Sequence, residues 1–155
     1  MINNKQHFIK DEMFLLLANL SPNETAAWGK MNVQQMVEHL VVFFNVSTEK
    51  IIFPLVTPQE HLPKYKEFLY SDKQFRENTK APAAVLGDEP LPTNYPTLEI
   101  ANHKLKAAVA YFFTYFENSP EKQTLHPVFG MLNFDEWVLL HHKHVTHHLR
   151  QFNLM

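Results

Sequence analysis

The chain has no cysteine among its 155 residues. It therefore offers no thiol nucleophile, no thiolate ligand and no disulfide, which fits a reducing, cytoplasmic setting. Glycine is nearly as scarce, at three. That disfavours a turn-rich β protein and any Gly-rich phosphate loop. No apolar run reaches the roughly eighteen residues that a membrane helix needs. The N-terminus has no basic-then-apolar leader pattern, so neither a membrane span nor a secretory signal is expected. An excess of basic charge is also lacking: Lys and Arg number 14 against 16 Asp and Glu, for a net charge of −2. Binding to nucleic acid or to an anionic membrane is not expected from that balance.

What remains is a composition for a helical core. Hydrophobic residues make up 45% and charged residues 19%, enough for one domain spanning residues 1–155. Phe8, Ile9, Phe14, Leu15 and Leu17 among charges predict an amphipathic helix over about Lys5 to Leu20. Ser21-Pro22-Asn23-Glu24 has the capping-box pattern and predicts a short helical turn through Trp28. Asn32 with Gln35 caps a second long helix, about Asn32 to Thr48, with Met36, His39, Leu40 and Phe43 on its apolar stripe. Seven of the ten prolines fall between Pro54 and Pro96. No long helix can run through them, although a short one fits around Pro63 to Asp72. Leu98, Ala101, Leu105, Ala108, Val109, Phe112 and Phe116 mark a third long helix, about Thr97 to Asn118. His126-Pro127-Val128-Phe129-Gly130 reads as a turn. Asn133 with Glu136 then caps a fourth helix, about Phe134 to Phe152. No convincing strand pattern emerges, so the expected fold is an all-α four-helix bundle with a long proline-rich crossover between helices 2 and 3.

The last helix holds the most unusual feature. Five of the eight residues from His141 to His148 are histidine. The run is broken by Lys143, Val145 and Thr146 and sits in register with a capped helix, unlike an appended purification tail. On a helical wheel Phe134, Trp137, His141, His144, Val145, His148, Gln151 and Phe152 share one inward face. Lys143 and Arg150 fall opposite, and His142 and His147 lie on the flanks. Burying unpartnered imidazoles is costly, so the three inward ones call for a metal or a hydrogen-bond network. His141 and His148 lie about 10.5 Å apart along the axis, too far to share one ion easily. His144 can pair with either, at i, i+3 or i, i+4; the position of His141 near the helix start leans the choice to His148. His39, the lone histidine on the apolar face of helix 2, is the candidate third ligand. Three protein ligands with an open position are the pattern of a catalytic site. His126 reads as a residue that orders its turn, with a role toward a substrate or behind the ligands as the other option. His7, His61 and His103 read as surface residues. Trp28 and Trp137 could wall a pocket, although core packing is the favoured reading for both. Glu38 points about 100° away from His39 and reads as a solvated charge rather than a general base. Gln151 could orient a ligand or bridge helices.

Four motifs in order carry a family likeness. They are Trp28-Gly29-Lys30-Met31, Gln35-Met36-Val37-Glu38-His39-Leu40, His126-Pro127-Val128-Phe129-Gly130 and His144-Val145-Thr146-His147-His148-Leu149-Arg150-Gln151-Phe152. Together they resemble the DinB-like superfamily, in a branch with a C-terminal His-His-Leu-Arg-Gln-Phe motif. The likeness covers nearly the whole chain and is weakest in the proline-rich crossover. It implies a DinB-like four-helix bundle whose divalent metal, zinc or nickel, is held by one histidine of the second helix and an i, i+4 pair of the last: His39, His144 and His148. It also implies a possible homodimer, a small-molecule substrate, and the metal-dependent transfer or isomerisation reactions that this superfamily runs with low-molecular-weight thiols such as bacillithiol or mycothiol. The superfamily's more usual ending, His-His-Arg-Gly-Gln, is here His147-His148-Leu149-Arg150-Gln151. Two other functions stand beside the thiol S-transferase: a non-enzymatic metal-binding or interaction bundle, and a metal-dependent hydrolase.

Overall fold

The computed structural model describes residues 2–155. The chain opens with a continuous helical rod made of α1 (Ile2–His7), a π-helical segment (Phe8–Glu12) and α2 (Met13–Leu17). Both junction residues, His7 and Glu12, keep α-helical dihedrals. The rod buries Ile9, Met13 and Leu17, each four residues from the last. Leu15 falls on the outer side and is exposed, as the four-residue repeat requires. The expected turn through Trp28 is not helical. Glu24 N–H bonds back to the Ser21 carbonyl at 3.3 Å, and the chain then continues as irregular loop.

The second long helix, α3 (Val33–Ser47), begins with a complete capping box between Asn32 and Gln35. It buries Met36, Leu40, Phe43 and Phe44. The proline-rich crossover follows. It holds a 3-10 turn (Gln59–His61), α4 (Leu62–Tyr70) with Pro63 in its first turn, and a single turn α5 (Ala83–Leu86). Proline is tolerated in a first turn, because the N–H it lacks would have no helical partner there. Next, α6 (Leu98–Asn118) is capped by Thr97 and buries the stripe expected from its repeat: Ala101, Leu105, Ala108, Val109, Phe112 and Phe116. The last helix, α7 (Phe134–Gln151), starts with a second complete capping box between Asn133 and Glu136.

The all-α expectation holds only in part. The molecule is mostly helical rather than all-α, because the stretch around His126 forms a hairpin. Strand β1 (Thr124–His126) pairs antiparallel with β2 (Gly130–Leu132), with Thr124 opposite Leu132 and His126 opposite Gly130. Three-residue strands are too short to show an alternating pattern in sequence. Their stability comes from neighbours. The Thr124 hydroxyl donates to the Ser47 carbonyl at 2.8 Å and accepts from Trp137 Nε1 at 2.7 Å. The hairpin is thereby tied to the end of α3 and to α7.

The core lies among the N-terminal rod, α3, α6 and α7, with Trp137, Phe44 and Phe112 as its largest enclosed side chains. The crossover adds a further layer. Its α4 packs on the side of α7 that was expected to face water. Lys143, predicted opposite the core, is therefore largely buried and donates to the carbonyls of Ser71 and Lys73. Among the described residues no helix is long and apolar enough to cross a membrane.

Candidate metal centre

The i, i+4 geometry of α7 sets His144 and His148 one turn apart on its inner face. Across from them, α3 presents His39. All three rings meet through Nε2. The His39 and His144 Nε2 atoms are 2.9 Å apart, and those of His148 and His144 are 3.1 Å apart. Ring centroids are separated by 4.8–4.9 Å with interplanar angles of 71–78°, so the rings stand edge to face. Nitrogens bound at about 2.0–2.1 Å to a tetrahedral zinc lie roughly 3.3 Å from one another. The observed spacings differ from that by a few tenths of an ångström.

The electrostatics match the same use. Burial pushes the His39 imidazole down to about 4 from its usual 6.5, with the charge of His147 adding to the effect. Burial also holds His144 and His148 well below the usual histidine range, and neighbouring histidines push both further down. All three are therefore neutral near pH 7, the form that coordinates a metal. Neutral rings facing one another through Nε2 still need something to share. One N–H can link at most one pair, and the remaining lone pair has no other partner among the described residues. A cation at their centre answers all three, and the group could hold a metal ion.

His148 is oriented from behind. Its Nδ1 donates to Gln151 Oε1 at 2.7 Å, which leaves Nε2 as a lone pair aimed at the cluster. The other end of the Gln151 amide donates to the Trp28 carbonyl at 2.9 Å. The loop before α3 thus fixes the amide that fixes the imidazole. Gly29 makes the approach possible. Its φ is +78°, and a Cβ there would sit 2.8 Å from Gln151 Nε2. Gln151 thus orients His148 and ties α7 to the loop before α3, a loop contact rather than the helix-to-helix bond expected.

The other histidines separate clearly. His141 stacks on Phe44 at 3.9 Å and on Trp137 at 5.2 Å, with its Nε2 buried and unpartnered. It is not part of the three-nitrogen group. His142 packs against Phe8, and His147 against Trp28 and Phe75. His126 orders its turn, as expected, because its Nδ1 accepts from the N–H groups of Val128 and Phe129 at 3.0 and 3.2 Å. His7, His61 and His103 are exposed.

A cavity of about 410 Å³ opens beside the cluster. Its floor is the three histidines and Phe43. The hairpin residues His126 to Phe129 line it on one part, and crossover residues from Phe75 to Asn94 line it on another. Both tryptophans line this cavity: Trp28 is half-buried there, and Trp137 reaches it from the core, with no surface exposed. Glu38 also departs from expectation. It is buried, not solvated, and its carboxylate ties down the crossover. Asn94 N–H donates to Oε1 at 2.6 Å, while Tyr95 N–H and Gln34 Nε2 donate to Oε2 at 3.4 and 2.9 Å. Gln34 and Gln35 add bonds to the carbonyls of Tyr95 and Leu91. Sequence reasoning missed this clamp, since the partners lie 56 and more residues away and are mostly backbone groups.

Set beside known proteins, the chain matches no family model, no curated protein and no solved structure.

Proposed function

We propose that this is a DinB-like metal-binding protein that holds a divalent ion, zinc or nickel, through His39, His144 and His148, and that it acts as a metal-dependent transferase on a small molecule bound as a thiol. The carrying observation is the convergence of three neutral Nε2 atoms at the floor of a cavity, with the His148 lone pair aimed by Gln151. A divalent ion bound there supplies a Lewis-acid centre that favours the thiolate form of a thiol. The absence of cysteine suits this reading, because the sulfur arrives with the small molecule.

The residues divide the remaining work. His39 comes from one helix and the other two from a second, so α3 and α7 cannot slide without opening the set. Gln151 keeps the proton of His148 on Nδ1. The crossover, clamped by Glu38 and Gln35, supplies part of the cavity's lining. A closed structural site has less support: among the described residues no fourth histidine or carboxylate joins the group. Hydrolysis has less support too. The acid beside His39 is Glu38, and both its oxygens are occupied by the crossover.

Elemental analysis of untagged protein supplied with zinc or nickel tests the centre. One ion per chain is expected for the wild type and a background level for His144→Ala. Equal metal content in the two proteins would overturn the assignment.

A further inference from the structure

His126 has a fixed tautomer. Two backbone N–H groups donate to its Nδ1, so that nitrogen carries the lone pair and Nε2 carries the proton. This Nε2–H has no protein partner among the described residues, although the side chain is buried and lines the cavity. Phe43 separates it from the metal centre. The Phe43 ring stacks on His126 at 5.7 Å and meets the edges of His39 and His144 at 5.1 and 5.2 Å. The three histidine nitrogens and the His126 N–H thus lie on either side of one aromatic ring in a cavity that His141 also lines.

Much of the remaining lining beside these groups is apolar or already engaged. Val42, Phe43, Phe75, Leu86 and Phe129 face the space. Gln35, Glu38 and Gln151 line it as well, but their polar atoms are held by Asn32, Leu91, Asn94, Tyr95, Trp28 and His148. At the rim Lys30 pairs with Glu89 at 2.8 Å, and Lys80 and Asp88 line the cavity as well, so two cations stand against two carboxylates. Such a rim does not attract an anion, and apart from the metal centre itself such an interior gives one no partner.

From this arrangement we infer that the cavity selects an uncharged molecule with an apolar, aromatic-sized body and one hydrogen-bond acceptor that meets His126 Nε2–H, its metal-binding donor lying at the opposite end. The inference builds on the reading of the three histidines as the centre at which a small molecule is bound. A charged, highly polar thiol is accordingly not the preferred ligand.

Acetophenone, ethylbenzene and succinate separate the components. The first two have the same apolar body and differ in one acceptor; the third is a dianion. Titration of the full chain as purified, followed by NMR, is expected to show acetophenone binding about fivefold more tightly than ethylbenzene, the effect of one hydrogen bond. Succinate is expected to show no competition. The His126 Nε2–H resonance should move on saturation with acetophenone and stay in place with ethylbenzene, a readout that needs no variant. In His126→Phe the preference for acetophenone should vanish while ethylbenzene still binds. Equal affinity for the two aromatics, competition by succinate, an unmoved His126 signal, or no binding by any of the three would overturn the proposal. A parallel titration of cobalt(II)-loaded protein with 2-phenylethanethiol reads the metal's own absorption bands. If cobalt fails to bind while acetophenone behaves as expected, the metal-centre reading falls and the assignment of the cavity's ligand class stands.

Discussion

Gln151 uses the two ends of one amide on two different elements, and that makes it the most informative residue to change outside the ligand set. Its oxygen accepts from His148 and its nitrogen donates to the Trp28 carbonyl. Gln151→Leu keeps the volume roughly and removes both bonds, freeing the His148 ring to turn and to move its proton to Nε2. Loss of such a supporting contact costs on the order of 10–100-fold in metal affinity. Competition against a chromophoric chelator is expected to show that loss, with Gln151→Glu retaining most of the affinity because a carboxylate still accepts from His148. Equal affinity in wild type and Gln151→Leu would remove Gln151 from the site. At this scale the sequence was informative wherever one helix decides the geometry. His144 and His148 follow from a one-turn spacing, and the i, i+3 step from His148 to Gln151 follows from the same wheel. The Trp28 contact does not, because it crosses 123 residues and ends on a backbone carbonyl. Lys143 misled for a similar reason. A wheel marks the side opposite the core, but it cannot say that a segment distant in sequence covers that side.

Elements with a cap and a repeat were read to within a residue or two. The helices α3, α6 and α7 each carry a side-chain cap at Asn32, Thr97 and Asn133. Elements stabilised by their surroundings were not readable. The hairpin depends on Thr124 bonding to Ser47 and Trp137, and the π-helical segment has no residue pattern that distinguishes it from the α-helix on either side. The Ser21–Glu24 capping pattern produced no helix, which shows that a cap signature needs a following apolar repeat to bury. Two expectations belong to this scale. Asn133→Ala removes the acceptor for the Glu136 N–H and should cost about 1 kcal/mol, lowering Tm by about 2–4 °C in a chain of this size; thermal unfolding followed by circular dichroism checks it. Glu38→Ala frees the Asn94 and Tyr95 N–H groups and should loosen the crossover without disturbing α6. Faster limited proteolysis around Asp88–Asn94 is expected, with cleavage elsewhere unchanged. Cleavage at the wild-type rate would mean that Gln34 and Gln35 hold the segment without help.

The molecule as a whole encloses a set of histidines that stay neutral, and this ties its stability to pH. Burial holds His39 at about 4 and His126 at about 3, against 6.5 for an exposed imidazole. His141, His144 and His148 are pushed well below the usual range by the same cause. Above pH 6.5 these groups are neutral in both the folded and the unfolded chain, so their effect on stability is constant. Below 6.5 the unfolded chain takes up protons that the folded chain refuses until about pH 4 at His39 and about pH 3 at His126. The unfolded state therefore binds more protons across that window, and stability falls as the pH drops through it. Each such group contributes a slope of about 1.4 kcal/mol per pH unit where its unfolded form is protonated and its folded form is not. A bound metal makes the dependence steeper, because protons must displace it from three imidazoles. Thermal scans from pH 7.5 to pH 4 should show a nearly level Tm above 6.5 and a progressive decline below it. The metal-loaded protein should start higher and converge on the metal-free curve as its ion is released. A Tm that stays level to pH 4.5 in metal-free protein would mean that the buried imidazoles accept protons in place. The three-histidine cluster would then be a proton-sharing network rather than a set of neutral ligands.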